Sequence, residues 1–227
     1  MRKLIALSIL SIMSFMTTTA QHSSSLAPSV QVSGEAFVAI VPNYATISLG
    51  AETKHSNAET SKKDNDEIIK KALQILKKAG IADKNIQTQR INLNKQRDYE
   101  TKEDFFVTNQ TLVIELHQLD KYDKIMADLM AAGINVIHGI EFKSTQTAIY
   151  ETEVRQKAVK DALKKANDYA SALNQQVGKA IHISDQPTQI IRPMLYAMKA
   201  SDAAMETTIA EGEIKITSTV NISFELK

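Results

Sequence analysis

Ile214-Lys-Ile-Thr-Ser-Thr-Val-Asn-Ile-Ser-Phe-Glu-Leu226 sets Ile214, Ile216, Val220, Ile222, Phe224 and Leu226 against Lys215, Thr217, Thr219, Asn221, Ser223 and Glu225. That period of two predicts a strand with one dry face and one wet face. A strand of this kind belongs to a sheet covered on one side, which is the antiparallel arrangement. The same alternation recurs upstream. Val30 and Val32 begin it, Phe37 to Val41 continue it, and after the Pro42-Asn43 turn Tyr44 to Thr53 repeats it, so the first two segments read as a β-hairpin. Strands are further expected at Ile86 to Asn94, Phe105 to His117, Ile134 to Ser144 and Lys179 to Ser184.

Three stretches switch to helical periodicity. From about Asn57 to Ala79, Ile68, Ile69, Ala72, Leu73, Ile75, Leu76 and Ala79 recur at the 3.6-residue period, and Gly80 stands where a left-handed cap belongs. A short helix is expected from Leu119 to Ala132, ending at Gly133. The longest runs from about Ala148 to Gln176 and ends before Gly178. Its stripe of Val154, Ala158, Ala162, Leu163, Ala166, Ala170 and Leu173 is mostly alanine, which suits close packing on a sheet. The order is then β-β-α-β-β-α-β-α-β-loop-β, an α+β domain with a mostly antiparallel sheet and helices on one side. Residues 29–227 read as one domain, with a long loop at about 185–210.

The amino terminus reads as an export signal. Arg2 and Lys3 precede the apolar run Leu4 to Met16, and Thr18-Thr19-Ala20 offers small side chains for cleavage between Ala20 and Gln21. A run of about 13 residues is too short to span a bilayer. Residues 21–28 are a polar lead-in. Taking Arg2 and Lys3 from the 27 basic residues leaves 25 against 26 acidic, a net charge of −1. A near-neutral chain has no electrostatic footprint for nucleic acid. No later stretch reads as an integral membrane span. The sequence has no cysteine, which removes disulfides, thiol chemistry and thiolate metal sites together.

Reactive groups are scattered. There is no Gly-x-Ser-x-Gly elbow and no glycine-rich phosphate loop. His55, His117, His138 and His182 form no pair at i, i+4, so each reads as a surface or strand-edge histidine. Asp98, Glu100, Glu103 and Asp104 crowd one hairpin loop, but without the spacing or glycine of a calcium loop they read as solvated charges. Asp64 with Glu67, and Glu151 with Glu153, read as dipole and solubility residues. Met194, Met198 and Met205 could ligate Cu(I), but packing onto a neighbour accounts for them better. No cofactor is expected.

The landmarks fall in a recognisable order. Val32-Ser-Gly-Glu-Ala36 leads to Val41-Pro42, Ala45 and Ile47-Ser-Leu-Gly50. Leu76, Gly80-Ile81, Lys84 and Ile86-Gln-Thr88 follow the first helix. Ala132-Gly133-Ile134, Gly139-Ile140 with Phe142, the alanine repeat Ala158 to Ala170, and Gly212-Glu213-Ile214 complete the set. Together, across residues 30–227, they resemble the SIMPL-domain family of bacterial periplasmic and surface-exposed proteins, which includes outer-membrane-associated immunogens. The resemblance implies an α+β domain in a periplasmic or outer-membrane-associated location, in a family of which some members assemble into ring-shaped or channel-like oligomers. It carries over no catalytic residue. The chain departs from the family's habit at Ala36-Phe37 and at Ala210-Glu211, both connecting positions.

The expected function is therefore non-enzymatic. The chain self-associates, with an envelope protein as a further partner, and serves envelope maintenance or stress tolerance. Its contact surface is expected on Pro193, Met194, Leu195, Tyr196 and Met198, an apolar cluster in a polar loop. The alternative is a periplasmic binding module for a small molecule or peptide.

Overall fold

A computed structural model describes residues 28–192 and 208–227. Among these residues eleven helices and strands follow one another. Strands β1 (Ser29–Ile40) and β2 (Tyr44–His55) precede helix α1 (Ala58–Lys78). Strands β3 (Ile86–Arg97) and β4 (Asp104–Leu116) precede α2 (Tyr122–Ala131), which a single 3-10 turn introduces. Strand β5 (Val136–Lys143) leads to α3 (Thr147–Ala172), β6 (Val177–Asp185), the short β7 (Gln189–Ile191) and β8 (Ile214–Leu226). The α+β class and antiparallel pairing are those the alternation predicts.

The strands form two sheets, not one. The first has the order β3-β4-β2-β5, and in the second β8 lies between β1 and β6, with β7 also paired to β8. Each has its own core. On the first sheet Ala45, Ile47 and Leu49 of β2 and Leu112, Ile114 and Leu116 of β4 meet Ile69, Ala72 and Leu76 of α1 and Ile125 and Leu129 of α2. On the second, Val32, Val220, Ile222 and Phe224 meet Ala158, Ala162 and Ala166 of α3.

The expected hairpin between the first two strands is therefore corrected. β1 pairs with β8, aligning Val32 with Ile222 and Ile40 with Ile214, while β2 lies between β4 and β5. Val41-Pro42-Asn43 carries the chain from one sheet to the other. Alternation says which face of a strand is dry but not which distant strand shares that face. The return crossing, residues 144–146, lies against the first. Asn43 Nδ2 donates to Thr145 Oγ1 at 2.8 Å, and Asn43 Oδ1 accepts from Thr145 N at 3.0 Å.

The helix ends follow local chemistry. Asn57 caps α1, its Oδ1 accepting the Thr60 N–H at 3.0 Å. Gly80, at φ +87°, closes its far end, where Gly80 and Ile81 N–H groups reach the Lys77 and Leu76 carbonyls. Helix α3 stops at Ala172, earlier than Gly178 suggests. Asn174 takes the left-handed turn instead, at φ +54°, and Gln175 N–H returns to the Ala170 carbonyl. Asparagine tolerates that conformation better than other side chains with a Cβ. Part of the long loop is also ordered, because β7 pairs with residues 215–217.

Helix α3 caps the free edge of β1 as well as its face. Asp161 accepts the Glu35 N–H at 2.9 Å, and Lys165 donates to the Ser33 carbonyl at 2.9 Å while pairing with Asp161. Edge groups bonded this way cannot recruit another strand. The Lys165 hydrogen bond and then the Glu35 N–H hold the Asp161 carboxyl below the usual carboxylate range. Its contribution is thus complete above about pH 4, the unfolded value, and is lost as acid titrates the lower folded value. Asp161→Asn should cost at most about 1 kcal/mol at pH 7, and urea denaturation series should show variant and parent converging below that range.

Candidate functional site

The residues singled out from the sequence divide by position. Ala20 and Gln21 at the expected cleavage point, and Pro193, Met194, Leu195, Tyr196 and Met198 of the expected contact surface, lie outside the described residues, as does Met205. The described chain on either side of that segment bonds to β5 of the first sheet and to α2, respectively. Arg192 Nη1 meets Glu141 Oε1 at 2.5 Å, and Thr208 N–H donates to Asp123 Oδ2 at 2.9 Å.

The scattered histidines stay scattered. His55 Nδ1 accepts the Asn57 N–H at 3.0 Å, and His117 stacks on Tyr44 with ring centroids 5.1 Å apart. The acidic hairpin loop is tied up internally. Asp98 accepts the N–H groups of Glu100 and Thr101, and that of Thr101 does most to lower its carboxyl. Asp104 pairs with Lys95 at 2.7 Å, which lowers its carboxyl too. Among the described residues no three His, Asp or Glu side chains gather to hold a metal.

Chemistry does converge on the polar face of the first sheet, opposite α1 and α2. Both outer strands are irregular there. The register of β3 against β4 shifts between Thr88 and Arg90, leaving Gln89 as an extra residue. That of β5 against β2 shifts between Ser48 and Leu49, leaving His138 extra. A bulge bends its strand and re-aims a side chain. Here the two flank a cavity of about 290 Å³ lined by Ser48, Gln89, Arg90, Thr111 and His138. His138 Nε2 lies 3.3 Å from Thr111 Oγ1, although β2 runs between their strands. Gly50, level with Thr111, presents no side chain to obstruct that reach. Asn135 fixes β2 at this point by bonding Glu52 N–H through Oδ1 and the Glu52 carbonyl through Nδ2.

Sequence reading assigns none of these five residues to a site, and takes His138 only as a surface or strand-edge histidine. Four strands supply them, and only Gly139 after His138, a glycine inside a strand pattern, hints at a bulge.

The second sheet offers a different feature. Among the described residues a single helix covers it, whereas α1 and α2 share the first sheet. Helix α3 sits over β1 and β8, with Asp161 and Lys165 at the outer edge of β1. At 100° per residue, Val159 and Leu163 fall on the opposite flank, toward β6. Ile183 of β6 aligns with buried Ile222, on the α3 side of the sheet, yet is 59% exposed. Val159 and Leu163 are 40% and 42% exposed. The result is an apolar strip beside α3. The β6 edge is itself bulged twice against β8, around residues 178–181, which discourages strand pairing there.

Among the described residues no helix is long and apolar enough to cross a membrane. The sequence matches, over residues 30–224, the model of the family described as SIMPL, "Protein of unknown function (DUF541)". It is 27% identical over 210 residues to "Uncharacterized protein YggE" of Escherichia coli K12, covering 88% of this chain and 84% of that one. It is 26% identical over 211 residues to the "26 kDa periplasmic immunogenic protein" of Brucella melitensis, covering 87% and 84%. The YggE protein of Edwardsiella ictaluri is 26% identical over 210 residues, covering 88% and 87%.

Proposed function

Because the chain belongs to the SIMPL family, we propose that it is a periplasmic or outer-membrane-associated protein that acts without catalysis, associating with copies of itself in maintenance or stress protection of the envelope. A periplasmic site is supported by the name of the Brucella relative and by the amino-terminal export pattern. The observation that carries self-association is the half-covered second sheet. Val159, Leu163 and Ile183 expose large apolar surface where a second helix would ordinarily pack. A second copy of α3 is the occupant of matching shape, since its own flank carries the same apolar residues and two-fold contacts are self-complementary. Strand addition at the edges of the second sheet is disfavoured by the α3 cap on β1 and the bulges on β6.

Light scattering coupled to size exclusion tests this on the exported, purified chain. The parent should elute as an oligomer. Leu163→Asp with Ile183→Asp should shift it to monomer with unchanged circular dichroism. A parent that stays monomeric at high concentration overturns the proposal.

A second reading, a periplasmic binding module, is favoured by the cavity between the two bulges. It is smaller than most drug-sized pockets and lined by polar groups, so it suits a small polar ligand.

A further inference from the structure

The second reading can be made chemically specific. From the lining of the cavity between the bulges we infer that it is a binding site for a small oxyanion, with Arg90 as its cationic anchor. The inference rests on that second reading and adds the ligand's class.

Hydrogen-bonding capacity comes first. Arg90 brings guanidinium donors, Gln89 an amide, Ser48 and Thr111 hydroxyls, and His138 an imidazole. No carboxylate lines the cavity, in a sequence with 26 acidic residues. Glu52, two residues beyond Gly50, is held by Asn109 Nδ2 at 3.2 Å. The cavity therefore offers donors and positive charge without an internal counterion.

The state of Arg90 comes second. Every other arginine among the described residues has a bonded partner within the chain. Arg97 donates to the Lys102 carbonyl, Arg155 to the Glu151 carbonyl, and Arg192 to Glu141. Arg90 has no side-chain hydrogen bond or ion pair among the described residues. A guanidinium fork fits the paired oxygens of a carboxylate or phosphate.

Placement comes third. Arg90 aligns with Thr111 across the β3–β4 ladder, so both stand on the same face. The bulge at Gln89 immediately precedes Arg90, and the bulge at His138 brings the imidazole to the same Thr111 hydroxyl. Two irregularities in separate strands thus serve one spot. A sheet face with only a solvation role requires neither.

The test is amide chemical-shift mapping on the exported chain, titrated at fixed ionic strength with inorganic phosphate, with acetate, and with acetamide as the uncharged analogue of acetate. Phosphate or acetate should give saturable shifts centred on Ser48, Gln89, Arg90, Thr111 and His138, and acetamide none. Arg90→Gln should weaken the anion response at least tenfold at unchanged melting temperature. The two anions separate a phosphate-bearing ligand from a carboxylate-bearing one. Equal shifts with acetamide would keep the binding-module reading and overturn the anion assignment. No saturable response from any probe, shifts spread over the lysine-rich face of α1, or an Arg90→Gln titration identical to the parent would each overturn the inference.

Discussion

Replacing Gly34 by valine is expected to cost about 4 kcal/mol or more, beyond the 1–3 kcal/mol usual for an overfilled core. A Cβ at this position would lie 2.0 Å from the Ala158 carbonyl oxygen and 2.6 Å from the Ala162 nitrogen. Both are backbone atoms of α3, so no side chain can rotate aside. The helix must lift from the sheet, and the alanine contacts of the second core go with it. Ala158, Ala162 and Ala166 are fully buried against β1 and β8, which is possible only because the strand beneath them carries glycine. At 2–4 °C per kcal/mol for a chain of this size, the melting temperature should fall by roughly 8–16 °C. Gly34→Ala should already do much of this damage, whereas Ser33→Ala on the opposite face should change stability by less than about 0.5 kcal/mol. Urea denaturation of the three variants checks the order, and a Gly34→Ala protein as stable as the parent would show that α3 packs elsewhere.

The second large effect is expected at Asn65. Helix α1 meets the first sheet through polar groups near its amino end. Asn65 is fully buried, and its Nδ2 donates to the Ala51 carbonyl at 2.8 Å and the Thr108 carbonyl at 3.2 Å, joining helix to two strands. Ser61, one turn earlier, bonds the Thr53 carbonyl and the Thr108 hydroxyl. Asn65→Asp leaves the size unchanged but removes both donors and sets a carboxyl against two carbonyl oxygens. The cost should be about 3–5 kcal/mol at pH 7, in the range of an unpaired buried charge. Burial without a donor raises such a carboxyl in the folded state, so the variant should regain part of its stability as pH falls toward 5. Asn65→Leu also loses two hydrogen bonds, but it removes Asn65 Oδ1, which is buried without a partner. Its cost should stay near 1–2 kcal/mol. Equal losses from aspartate and leucine would mean that size, not hydrogen bonding, holds the position.

These two sites show where sequence reading stops. Gly34 lies within one of the motifs that point to the family, yet nothing local says that a helix more than 120 residues later will rest on it. Asn65 reads as an ordinary polar residue in the first helix, because its partners are carbonyls of β2 and β4. Ser48, Arg90 and Thr111 are unremarkable for the same reason. They belong to different strands, and the two bulges that aim side chains at one spot arise from register.

By itself the sequence determined the kind and order of nearly all the elements. Alternation marked the strands, the 3.6-residue period the helices, and Gly80 and Gly133 the ends of α1 and α2. These signals are local, depending on residues within a few positions of one another. Only the tertiary structure decided that the strands divide into two sheets, that β1 pairs with β8 across the whole chain, and that an arginine and a histidine from different strands line one cavity. Each of those depends on which dry faces share a core and on the register of pairing, quantities set by contacts between distant segments.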